Sequence, residues 1–137
     1  MNLVDSSGWL AYFAIEPSAG FFAKAIENEG LLVVPSVCVY EVFNVVLRER
    51  GEGDAFSVAA AMQRGMVVDL DADLAMEAGS VGLEEGLSFA DSVIYTIARK
   101  HRATLWTQDA HFAGKPGVRY RPKATGASAG PEPGDKP

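Results

Sequence analysis

A single cysteine, Cys38, occurs in the 137 residues, so an intramolecular disulfide is excluded and a zinc site has no set of thiols to draw on. No apolar run approaches the ~20 residues that span a bilayer. The opening Met1-Asn2-Leu3-Val4-Asp5 lacks the basic stretch and apolar core of a signal peptide. A reducing cytoplasm is therefore the expected compartment, with no membrane partner. Neither GxxxxGK[ST] nor GxGxxG is present, which leaves a nucleotide cofactor without a motif. Internal repeats are also missing. Bases are few, 12 against 18 acids, for a net charge of −6. On its own that balance speaks against a non-specific nucleic-acid binder, whose basic footprint shows in the totals. Acids gathered at a metal site would change the reading, because two divalent ions offset ~4 of those charges. The distribution of charge matters here, and the total decides nothing.

What is present describes an ordinary globular domain. Apolar residues make up 48% and charged residues 22% of the chain. At this length a single core buries roughly two-thirds of the surface the unfolded chain exposes. Leu3-Val4-Asp5 reads as a short buried strand, ended by a turn at Ser6-Ser7-Gly8. A small apolar helix over 8–13 follows, then a second over 19–29 closed by Gly30. The apolar run Leu31-Leu32-Val33-Val34 predicts a buried strand stopped by Pro35, and Ser36 is placed to cap a helix reaching Arg50.

Asp54 is placed to cap a helix over 55–63, and Met66 to Leu70 predicts a third strand. A helix over 72–84 leads to Ser88-Phe89-Ala90-Asp91, a capping-box pattern that opens a helix lasting to His101. Ala103 to Thr107 predicts the fourth strand and Val118-Arg119-Tyr120 a short fifth. From Pro122 the chain is rich in Gly, Pro, Ala and Ser, so the expected organisation is one domain over 1–121 and a flexible tail over 122–137. Strands alternating with helices predict an α/β fold with a mostly parallel sheet. In such sheets ligands bind beyond the carboxyl ends of the strands.

Four acids fall at that rim. Asp5 ends the first strand, Glu41 lies early in the helix after the second, Asp91 opens the helix before the fourth, and Asp109 follows that strand. Each has a plain alternative. Asp5 and Asp109 are placed to cap the turns that follow them, Asp91 suits any helix start, and Glu41 suits a solvated face. Jointly they demand more. Carboxylates ~5–6 Å apart repel by roughly 3 kcal/mol per ionised pair at an effective dielectric of 20, a heavy load on a total stability of ~5–15 kcal/mol. Such a site holds protons or cations. Oxygen-only donors favour Mg²⁺ or Mn²⁺ over zinc, and a hard ion in an open carboxylate site suits phosphate-ester hydrolysis. Nucleophilic schemes fit poorly: Cys38 sits on an apolar helix face, and His101 and His111 lack a nucleophile and an orienting partner, so both are read as non-catalytic.

With these residues in view, the sequence resembles a PIN domain, in particular the small VapC-like toxins of toxin–antitoxin pairs. The marks are Val4-Asp5-Ser6-Ser7, Pro35-Ser36 followed by Glu41 to Leu47, Leu87-Ser88-Phe89-Ala90-Asp91-Ser92, and Leu105-Trp106-Thr107-Gln108-Asp109-Ala110-His111-Phe112. The resemblance extends to about Tyr120. It implies a three-layer α/β/α sandwich around the parallel sheet. Asp5, Glu41, Asp91 and Asp109 would then form the acidic metal pocket of a Mg²⁺- or Mn²⁺-dependent endoribonuclease. It further implies cleavage of RNA to a 5′-phosphate and a 3′-hydroxyl, a homodimer, and a cognate antitoxin whose C-terminal segment covers the pocket. Thr107 and Ser6 stand where the family places hydroxyls beside the metal, with strand-end and turn roles as the alternatives.

A nuclease needs positive charge near such a pocket. Glu41, Asn44 and Arg48 share a helix face, and Arg50 lies at that helix's end. Arg99, Lys100 and Arg102 cluster at another helix terminus, and Lys115, Arg119, Arg121 and Lys123 lie towards the C-terminus. Arg48, Arg50 and Arg102 are the expected RNA contacts; complementing helix dipoles is the alternative for any of these bases. Asn44 suits a hydrogen bond to metal-bound water or to Glu41, or an ordinary polar position. The aromatics Trp9, Tyr12, Phe13, Phe21 and Phe22 read as core, or as a groove for a partner helix, ahead of base-stacking platforms. Two other functions fit less of the pattern: a PIN-type nuclease of RNA processing without an antitoxin, and a non-catalytic metal-binding regulatory domain of receiver type. Receivers carry adjacent acids after the first strand, where this chain has Asp5-Ser6-Ser7.

Overall fold

The structure, a computed structural model, describes residues 1–123. Five strands form one sheet: β1 (Asn2–Val4), β2 (Leu32–Pro35), β3 (Met66–Val68), β4 (Thr104–Thr107) and β5 (Val118–Tyr120). Their order is β3-β2-β1-β4-β5 and every pairing is parallel. The helices are α1 (Ser6–Phe13), α2 (Ala19–Ile26), α3 (Ser36–Arg50), α4 (Glu52–Met62), α5 (Ala72–Glu85) and α6 (Phe89–Lys100). Right-handed crossovers put α1 to α4, which lead outward from β1 to β3, on one face of the sheet. The same rule puts α5 and α6, which return across the sheet to β4, on the other. The result is a three-layer α/β/α sandwich. No helix among the described residues is long and apolar enough to cross a membrane.

Strands covered on both faces are apolar throughout. Leu3, Val4, Val33, Val34 and Leu105 are fully buried, and Trp9, Phe22, Ile94, Ile97 and Phe112 close over them from the helices and the β4–β5 connection. One glycine is imposed by this packing. A Cβ on Gly8 would meet Phe22 Cε1 and Val4 Cγ1 at 2.6 Å, so α1 lies against β1 and α2 only with hydrogen at that position.

Several boundaries differ from the sequence expectation. Ser6-Ser7-Gly8 is the first turn of α1 and not a separate turn, because the Asp5 side chain accepts from the Gly8 N–H and caps the helix. Helix α2 stops at Ile26, and Gly30 lies inside a short 3₁₀ turn, Glu29–Leu31. β2 does end at Pro35, which pairs with Val68 as the strand's last residue and takes the cap position of α3 in place of Ser36, already helical. Asp54 sits in the first turn of α4, where it pairs with Arg50 at 3.0 Å. Strand β3 ends at Val68, short of Leu70. Of the expected tail, Pro122 and Lys123 follow β5 without helix or strand; 124–137 lie outside the described residues.

Candidate active site

Strands β1 and β4 are neighbours whose chains leave in opposite directions across the sheet, the topological position where α/β folds open a crevice. Asp5 stands there. It is 3% exposed, and three donors hold its carboxylate: Thr107 Oγ1 at 2.6 Å, Ser7 Oγ at 2.7 Å and the Gly8 amide at 3.0 Å. Burial pushes its carboxyl up from 3.8 to about 6. The three hydrogen bonds pull it back, and the negative charge of Asp109 adds to the rise.

Thr107, the fully buried last residue of β4, ties two acids together. Its hydroxyl donates to Asp5 and accepts from the Asp109 N–H at 2.8 Å. Asp109 then caps the 3₁₀ turn Ala110–Phe112 by accepting from the His111 N–H at 2.9 Å. Asp91, in the first turn of α6, is half-buried. Its carboxyl is raised by burial first and by Asp109 second, with Glu41 adding to the rise and His111 opposing it. Glu41, one and a half turns into α3, accepts from Ser6 Oγ at 2.5 Å, a contact between residues 35 apart in sequence. Asp5, Glu41, Asp91 and Asp109, drawn from different elements, therefore act on one another electrostatically.

His111 joins them. Its Nδ1 is 3.0 Å from Asp109 Oδ1 and 3.5 Å from Asp91 Oδ2. One oxygen each of Asp91 and Asp109 and one ring nitrogen of His111 lie within 4.8 Å of one another, a spacing at which a single cation can be shared. Sequence reasoning left His111 outside the chemistry. The available signal was its place two residues after Asp109 in a tight turn, which swings its ring back over the acids. Oxygen donors dominate this set, and their mutual repulsion makes it receptive to a hard divalent ion. Cys38 is fully buried beneath, its thiol pushed far up by burial and by Asp5 and Glu41, so it is held protonated and supplies no nucleophile.

The remaining candidates sit further out. Asn44 is exposed, and its Oδ1 accepts from Arg48 at 3.2 Å. Arg48 lies 3.8 Å from Glu49, and Arg50 pairs with Asp54. Both are carried away from the rim by α3, which rises about 1.5 Å per residue. Arg102 immediately precedes β4, at the amino edge of the sheet opposite the acids. A cavity of about 460 Å³ lies elsewhere again, between α1, α3 and α4, lined by Leu10, Phe13, Val46 and Val58 among others.

Comparison with known proteins follows the same lines. The family model for the PIN domain matches residues 3–117. Among solved structures, a toxin–antitoxin complex from Klebsiella pneumoniae is similar with a TM-score of 0.72 at 21% identity, covering 86% of this chain and 95% of that one. A sarcin-ricin loop cleaving toxin of Mycobacterium tuberculosis gives 0.68 at 21% identity, covering 82% and 92%. A protein of Pyrobaculum aerophilum gives 0.65 at 25% identity, covering 87% and 89%. Among curated protein sequences none matches the chain.

Proposed function

This chain belongs to the PIN domain family, and on that footing we propose that it is a Mg²⁺- or Mn²⁺-dependent endoribonuclease, the toxin of a type II toxin–antitoxin pair. The observation that carries this reading is the meeting of Asp5, Glu41, Asp91 and Asp109, scattered through the sequence, at one rim of the sheet. Repulsion of roughly 3 kcal/mol per close ionised pair serves no structural purpose that neutral side chains would not serve better. A bound cation gives it one.

Asp91 and Asp109, with His111 beside them, would hold the ion, and Asp5 and Glu41 complete its oxygen surroundings. When bound, the ion supplies an activated water and a polarised phosphoryl oxygen. Positioning falls to the chain itself. Thr107 locks Asp5 to the Asp109 backbone, so these two acids keep a fixed separation. Ser6 holds the Glu41 carboxylate towards the rim, and burial keeps bulk water off the inner side of Asp5. The expected products are a 5′-phosphate and a 3′-hydroxyl. Arg48 and Arg50 lie along α3, and Arg102 lies at the far edge. They are placed for a long substrate's outlying phosphates, not for the one over the acids.

A solved relative of this fold is a toxin–antitoxin complex, which supports an antitoxin as the protein partner here. The cavity between α1, α3 and α4 offers such a segment an apolar seat. Met76, Leu83 and Phe89, 68%, 89% and 67% exposed, support a homodimer through α5 and the start of α6. RNA as substrate places the protein in the cytoplasm.

The test is expression of the wild type and of Asp91→Asn, followed by mapping of RNA ends. Growth arrest with discrete new 5′-phosphate ends, confined to the wild type and abolished by a chelator in the purified reaction, is the expected result. The same ends produced by purified Asp91→Asn overturn the assignment.

A further inference from the structure

On the α2 side of the edge strand, three side chains form a surface that the acids do not explain. Trp106 of β4 packs against Phe21 of α2, the rings tilted by 54° with centroids 5.0 Å apart. Arg119, its register partner on β5, lays its guanidinium over the Trp106 ring at 4.4 Å and lies 5.9 Å from the Phe21 ring. Arg121, two residues on and facing the same way, also lies 5.9 Å from Phe21. Arg119 is exposed, whereas the indole beneath it is 5% exposed. One face of the guanidinium is thus spent on an aromatic, while its edges face solvent.

Two features point this surface at a polyanion. The first is charge. Arg48, Arg50, Arg64, Arg99, Lys100 and Lys115 each lie within 4.0 Å of a carboxylate. Among the described residues Arg119 has no such partner, as Lys24 and Arg102 have none, in a chain of net charge −6. The second is position. The Asp5 N–H donates to the Trp106 carbonyl on one side of β4, and the Arg121 N–H donates to the Thr107 carbonyl on the other. The arginine strand is therefore two strand spacings, about 10 Å, from the most buried acid. Trp106 and Arg119 face α2 while Thr107 faces Asp5, so a strand of RNA whose scissile phosphate lies over the acids would reach Arg119 by passing over the carboxyl ends of β4 and β5.

We propose that Arg119, supported by Trp106 and Phe21 and flanked by Arg121, is the docking platform for the single-stranded RNA next to the cleaved bond. Its guanidinium edge forks a phosphate, and its plane receives a base. Arginine suits both tasks: it stays charged, and stacking on the indole holds it flat before RNA arrives. This rests on the ribonuclease reading and names how that site takes its substrate. Phe21, expected from the sequence to pack, does so against Trp106 and also carries the arginines.

The test uses Arg119→Met, whose stem still covers Trp106, and Arg119→Lys, which keeps charge without the plane. Arg64→Met, beside β3 at the opposite edge of the sheet, is the control for bulk charge. Binding of a short fluorescein-labelled single-stranded RNA is read by anisotropy in the Asp91→Asn background, and cleavage is read in parallel in the native background. Arg119→Met is expected to weaken binding about tenfold and flatten the salt dependence by about 0.7 in slope, with Arg119→Lys in between and Arg64→Met within about twofold. Unchanged thermal unfolding shows that the loss is local. Wild-type cleavage with Arg119→Met binding unaltered overturns the platform and leaves the nuclease standing. Arg119-dependent binding without any wild-type cleavage keeps the platform and sinks the nuclease. An equal loss in Arg64→Met, or no RNA binding at all, overturns the platform.

Discussion

Asp5 serves two purposes that pull in opposite directions. As the cap of α1 it is stabilised by the Gly8 amide and by two hydroxyls, yet it is buried beside Asp109 and its carboxyl rises to about 6. The sign of the pH dependence follows. Below its unfolded value of 3.8 the group is protonated in both states and costs nothing. As pH rises towards about 6 the unfolded chain ionises first, so the fold loses stability; above that the loss is complete at roughly 3 kcal/mol. Asp91 is displaced in the same direction and adds to it. Metal-free protein in a chelator should therefore show a melting temperature that falls between about pH 4 and pH 6. Asp5→Asn should flatten much of that fall, as thermal unfolding by circular dichroism would read it; an unchanged slope in the variant would place the effect on other groups. At this scale the position of the four acids at one rim was legible, since Asp5 and Asp109 follow strands and Glu41 and Asp91 lie towards the starts of their helices. The Ser6–Glu41 contact was not, because a side-chain meeting across 35 residues leaves no local signal, and the short spacing from Asp109 to His111 was a signal that went unread.

At the scale of elements, α1 is the piece on which the rim depends. It begins at once after β1, so its cap residue is a site residue, and Gly8 brings it within reach of Phe22 and Val4. Gly8→Ala forces a methyl against both at 2.6 Å. The expected cost is ~1–3 kcal/mol, measured by urea unfolding, together with reduced nuclease activity as Asp5 shifts; equal stability would mean that α1 moves freely. Apolar runs and capping residues announced every strand and helix, but the ends slipped wherever tertiary contact overrode local habit. Pro35 ends a strand while paired to Val68, something its missing N–H alone would not suggest. Glu52 rather than Asp54 opens α4, with Gly51 at its cap position and Asp54 in its first turn paired with Arg50.

For the whole molecule, the strand order was beyond a single sequence. Alternation announced a mostly parallel sheet, and the structure makes it entirely so. The step from β3 back across to β4 brings Asp91 and Asp109 to Asp5, and no local pattern encodes that return. Because the acids come from widely separated segments, a cation shared among them ties the domain together. Saturating Mg²⁺ or Mn²⁺ should raise the melting temperature by about 3–8 °C. A chelator should reverse the gain, and Asp109→Asn should shrink it. A melting temperature indifferent to the metal would argue against a shared ion.

Cys38 offers a way to watch that rim loosen. The chain has one sulfhydryl, sealed at 0% exposure underneath Asp5 and Glu41 and kept from ionising. An alkylating reagent therefore meets it only when β2 and α3 part from the layer above, and the modification rate becomes a clock for that breathing. Ions or RNA that clamp the carboxylates should slow the clock, and denaturant well below the unfolding midpoint should quicken it.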